Sequence, residues 1–91
     1  MPRRLEKLRE TLDELDRELA SVDTVDPRTR ALLEEARAEI QTALDQQDTD
    51  QLRSQSLIDR LKDAQQEFEA SHPNLSGIVM RMINTLAQLG I

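Results

Sequence analysis

The sequence predicts an all-α protein: a small antiparallel helical bundle of about four helices, spanning roughly 3–21, 27–46, 49–70 and 73–89, in a single domain over 1–91. Three observations carry this. Apolar residues recur at spacings of three and four along most of the chain, the period of one helix face. Pro27 and Pro73 each follow a residue suited to cap a helix, where proline is tolerated in the first turn. Between those prolines there is no Gly and no Pro, so no helix-breaking residue interrupts the middle of the chain.

In the first helix Leu5, Leu8, Leu12, Leu15, Leu19 and Val22 alternate spacings of three and four. Leucine at both core positions, with charge at most others, describes a narrow heptad seam. Two readings stand side by side: an amphipathic helix packed within its own bundle, or a coiled-coil seam shared between subunits through Leu5, Leu8, Leu12, Leu15 and Leu19. Pro2 fits the first turn of this helix.

The second helix restarts at Asp26-Pro27, with Leu32, Leu33, Ala36, Ile40, Ala43 and Leu44 inward. A break is expected near Gln46 to Thr49, because Asp45 to Gln51 is polar throughout and Asp48 with Gln51 has capping-box spacing. The alternative merges the second and third helices into one long helix. The third helix carries Leu52, Leu57, Ile58, Leu61, Ala64 and Phe68 inward and must stop before Pro73, which disfavours helical geometry at the residue preceding it.

The fourth helix has the widest apolar face, from Leu75, Ile78, Val79, Met82, Ile83, Leu86 and Leu89, and therefore faces more than one neighbour. Gly90 suits the left-handed position after a helix, with Ile91 folding back onto the last turn. That turn has no Lys or Arg to answer the negative helix end and the Ile91 carboxylate. Up-and-down topology brings Arg3 or Arg4 to that end as the expected partner.

Composition limits the function classes. The chain has 91 residues and a net charge of −6, with 18 acidic against 12 basic residues, all the acids lying at or before Glu69. Such a surface repels phosphate backbones, so no nucleic acid is expected. One Phe and no Trp or Tyr leave no aromatic platform for bases or sugars. With no cysteine there is neither disulfide nor thiolate chemistry. Arg3 and Arg4 are followed at once by Glu6, Lys7, Arg9 and Glu10, which leaves no apolar signal segment, and the last helix is too interrupted by polar residues to span a bilayer. The chain reads as cytoplasmic, with no membrane partner.

Individual residues add little chemistry. Glu69 and His72 have the Glu-x-x-His spacing of bundle metal sites, and they are the metal candidates, although Pro73 pulls His72 away from helical geometry and a turn-bonded histidine is the competing reading. Asp45, Asp48 and Asp50 fail the calcium-loop pattern, which needs Gly at the sixth position and Glu at the twelfth. Met82 falls on the apolar stripe, whereas Met80 lies off it and is an interface candidate.

Phe68-Glu69, Ser71-His72-Pro73, Ser76-Gly77, Ile83, Leu86-Ala87 and the close at Leu89-Gly90-Ile91 together resemble the C-terminal signature of a bacterial family named only as the domain of unknown function 4404 family. The leucine heptads and the Asp-led second helix are similar to it too. The resemblance implies a small helical fold, a bacterial source and a cytoplasmic setting; it implies no catalytic residue and no cofactor.

The functional expectation is an interaction or structural module without catalytic activity that self-associates, with a dimer favoured, because a chain this short builds only a thin core. Two alternatives remain at this stage. One is an acidic adaptor that takes a basic protein or amphipathic helix in an interhelical groove. The other is an oligomeric metal-binding protein using Glu69 and His72.

Overall fold

The computed structural model describes residues 3–53 and 55–91, with side chains from Leu5 onward apart from those at 51, 53 and 55. Four α-helices follow one another, α1 (Arg3–Ser21), α2 (Pro27–Gln46), α3 (Gln55–Ser71) and α4 (Pro73–Gln88), with a 3-10 turn at Asp50–Arg53 before α3. The expected place of Pro2, the Gln51 half of the capping box, and the pairing of Arg3 or Arg4 with Ile91 lie outside the described residues.

Each helix packs on its neighbours in sequence, and α4 closes the ring on α1. The pairings run antiparallel: Asp16 meets Arg37 between α1 and α2, Glu39 meets Arg60 between α2 and α3, and Gln65 bonds Ser76 at 3.0 Å between α3 and α4. The radius of gyration is 12.3 Å, close to the roughly 12 Å of a compact single chain of this length. Among the described residues no helix is long and apolar enough to cross a membrane.

The helix ends show why the chain turns where it does. Asp26 accepts the Arg28 N–H at 3.3 Å and Pro27 opens α2, as expected of an N-cap followed by a first-turn proline. The carbonyl of Val22, beyond the end of α1, accepts Arg30 Nη2 from α2 at 2.8 Å, so a cation from the next helix serves the negative end that α1 itself leaves bare.

The break after α2 is real, and it overturns the single long helix. Gln47 is left-handed (φ 53°), its N–H reaches the Leu44 carbonyl at 3.2 Å and the Asp48 N–H reaches that of Ala43 at 3.0 Å. This is a Schellman closure built without glycine. Asp48 then accepts the Asp50 N–H at 3.0 Å and starts the 3-10 turn. The expected helix over 49–70 is thus corrected to a 3-10 turn and a helix beginning at Gln55, while Leu52 in that turn is still fully buried.

The same closure ends α4. Gly90 (φ 86°) donates to Ala87 at 3.0 Å, Ile91 donates to Leu86 at 3.1 Å, and the Ile91 side chain packs against the core.

The core is one continuous cluster containing leucines of α1, α2 and α3, together with Phe68, Leu75, Ile78, Val79, Met82 and Leu86, and Val25 from the α1–α2 loop. Two buried threonines are satisfied locally: Thr11 and Thr85 donate to the carbonyls four residues back, each at 2.8 Å. Among the described residues no buried side-chain polar atom lacks a partner.

Candidate functional site

The leucine seam is spent inside the chain. Leu5, Leu8, Leu12, Leu15 and Leu19 are all buried by the chain's own helices, so in this fold they are not available as a contact between subunits. The physical reason is α4. Its wide stripe covers α1 and α3 at once, so a seam that could have met another chain meets α4 instead.

What α4 leaves outside is different in kind from the rest of the surface. Asn74, Gly77, Met80, Arg81, Asn84, Ala87 and Gln88 are exposed along it. Met80, at 42% exposure, is the one large hydrophobic side chain that stands exposed among the described residues. Arg81 is the only charged residue of α4, in a chain where a third of residues are charged.

Even that charge is committed. The Arg81 guanidinium grips the Glu14 carboxylate of α1 with two bonds, Nη1 to Oε1 at 2.9 Å and Nη2 to Oε2 at 2.6 Å. The hydrogen bond from Arg81 holds the Glu14 carboxyl below its ordinary range; partial desolvation opposes it, and the positive charges of Arg81 and Arg17 add to the lowering. The same bond raises the Arg81 guanidinium further. Sequence reasoning named Met80 and placed Arg81 beside it, but the partner, 67 positions away, has no local signature.

Gly77 is one turn from Met80 on the same exposed side. Its backbone is helical, and a Cβ added there would meet nothing within 4 Å beyond its own helix backbone. A helix-interior glycine costs roughly 0.5–1 kcal/mol relative to alanine. The packing of this chain therefore gives no reason for glycine at 77.

The metal candidates are not brought together. His72 caps α4 by its backbone position without a side-chain cap bond. Its Nε2 lies 2.9 Å from Thr24 Oγ1 of the α1–α2 loop, its Nδ1 lies 3.0 Å from Ser71 Oγ, and its ring stands edge-on to Phe68 at 5.7 Å. Both ring nitrogens thus have hydroxyl partners, and the ring ties two loops of one end together. The acids bordering the hollow beside it are Asp26 and Glu67, whereas Glu69 is exposed and does not line it. Among the described residues no three His, Cys, Asp or Glu side chains are grouped to hold a metal ion. Thr24 was missed at the level of sequence, since only the meeting of two loops makes it a partner.

Fold and surface together define a small, closed four-helix bundle whose distinctive exposed feature is a helix face almost free of charge. The chain belongs to the family described as Domain of unknown function (DUF4404), whose model matches residues 8–91. No curated protein and no solved structure matches it.

Proposed function

We propose that this protein is an interaction module without catalytic activity that self-associates, as a dimer, through the outer face of α4. One observation carries the reading: Met80 stands exposed on a helix that has no acidic residue of its own and whose one cation, Arg81, is paired with Glu14. Elsewhere the outer surface mixes Asp and Glu with Arg and Lys, charged groups that are costly to strip of water and that protein contacts tend to exclude from their centres. An exposed methionine amid uncharged neighbours suits a partner surface.

The adaptor alternative draws less support, because it calls for an open apolar groove. The α1–α2 hollow is bordered by Asp16, Arg30, Glu34 and Arg37, and the α2–α3 hollow by Asp26, Arg28, Asp63 and Glu67.

Sedimentation equilibrium over about 10 μM to about 1 mM, where a dissociation constant near 1 mM corresponds to roughly −4 kcal/mol, tests the proposal. A concentration-dependent dimer is expected. A monomer throughout that range sinks it.

A further inference from the structure

We propose that the groove between the start of α2 and the end of α3 binds a small linear aliphatic diamine. One ammonium group donates to the Thr29 hydroxyl oxygen and to the carboxylates of Asp26 and Glu67, and the other lies at Asp63. The site is separate from the outer face of α4 and independent of self-association.

Thr29 is only 2% exposed, yet its hydroxyl has no hydrogen-bond partner among the described residues. Thr11 and Thr85 donate to the carbonyls four residues back. Thr29 lacks that outlet because it stands in the first turn of α2, where the residue four back, Val25, precedes the helix, and the nearer Asp26 carbonyl already accepts the Arg30 N–H at 2.9 Å. A buried hydroxyl without a partner costs free energy. This one is not sealed off, since no sealed side-chain polar atom among the described residues lacks a partner. It opens where Thr29 lines two adjoining hollows of about 200 and 220 Å³.

The charge around that hydroxyl selects a cation. The hollows share Asp26, Thr29 and Glu67, and Asp63 borders one of them. Glu14, Asp16, Glu35 and Glu39 each hold an arginine, whereas Glu67 and Asp63 have no ion-pair partner among the described residues. Asp26 uses one oxygen on its cap bond to the Arg28 N–H and keeps the other. Against these three carboxylates stands one guanidinium, that of Arg28. An ammonium group brings one positive charge and three donors, which match two carboxylates and a hydroxyl oxygen. A metal ion suits the place less well, because no three His, Cys, Asp or Glu side chains among the described residues are grouped to hold one.

The spacing of the acids sets the length of the ligand. Asp63 and Glu67 lie four positions apart on one side of α3, a rise of about 6 Å. Four methylene groups hold two ammonium groups at about that separation, and Leu32 gives them an apolar wall. The groove is open to solvent on one side, so binding is weak and falls with salt.

Isothermal titration calorimetry with 1,4-diaminobutane at low ionic strength tests the site, and saturable binding of one diamine per chain is expected. Thr29→Val removes the hydroxyl and keeps shape and charge; it is expected to weaken binding about tenfold, the loss of one hydrogen bond to a charged group. Glu67→Gln is expected to weaken binding about threefold. Glu69→Gln removes the same charge from an exposed residue that lines neither hollow, and is expected to leave binding unchanged. If Thr29→Val does not fold, the comparison of Glu67→Gln with Glu69→Gln decides. Equal losses in those two variants, or no loss in a folded Thr29→Val, mean diffuse attraction to an acidic surface and overturn the site. An absence of binding up to about 50 mM diamine overturns it as well. Butylamine, with one ammonium group, is expected to bind more weakly, and equal affinity overturns the diamine. Displacement of the diamine by magnesium chloride at matched ionic strength overturns the assignment to an organic cation.

Discussion

Glu14 and Arg81 join the first helix to the last by a two-pronged ion pair at 2.9 and 2.6 Å. Because both side chains are about half exposed, solvent screens the pair, and its contribution is about 1 kcal/mol or less. The Glu14 carboxyl is held below its ordinary range, so the sign of the pH effect follows. The stabilisation is complete above the unfolded carboxyl value near 4.5 and is lost as pH falls through the lower folded value. Urea denaturation of wild type and Glu14→Gln should show the difference between them shrinking below about pH 4.5. A difference that grows on acidification contradicts the assignment.

Gln47 holds a left-handed backbone at φ 53°, where a side chain is disfavoured by about 1 kcal/mol. Gln47→Gly should stabilise the fold by about 0.5–1 kcal/mol, part of the gain being offset by the freer unfolded chain. That corresponds to a rise in melting temperature of several degrees for a domain of this size. An unchanged or lower melting temperature would show that the Gln47 side chain contributes something the glycine lacks.

Gly77→Ala adds a methyl group into open space and should raise the stability of the monomer by about 0.5–1 kcal/mol through helix propensity alone. Thermal unfolding at low concentration, below any dimerisation, measures this. Destabilisation instead would mean that the glycine serves the single chain.

Leu52 is fully buried although it belongs to a 3-10 turn between two helices. Leu52→Ala should cost about 2–5 kcal/mol, the range of a core leucine and not of a loop position. A loss under about 1 kcal/mol in chemical denaturation, within the range of surface substitutions, contradicts the burial.

Helix positions were legible at the residue level because their causes are local. Asp26-Pro27 and His72-Pro73 start helices through cap and proline geometry, and Gly90 ends one by accepting a positive φ. The polar run after Leu44 marked a break, but nothing local showed that the chain would turn on a left-handed glutamine and pass through a 3-10 turn before resuming. The α4 face was only partly legible. Met80 was visible as a methionine off the apolar stripe; the isolation of Gly77 and the tie from Arg81 to Glu14 were not.

By itself, then, the sequence determined which segments are helical, which side of each is apolar, and that the acidic charge stops at Glu69. Those are properties of neighbouring residues and of helical period. Only the tertiary structure decided which apolar faces meet. The heptad leucines of α1 suit a foreign helix or their own α4 equally well by period, and the choice went to α4 because its wide stripe lies within reach of α1 and α3 together. The same assembly gave His72 its Thr24 and Arg81 its Glu14, pairs separated by 48 and 67 positions, whose meeting depends on how the helices stack and on no pattern within any one of them.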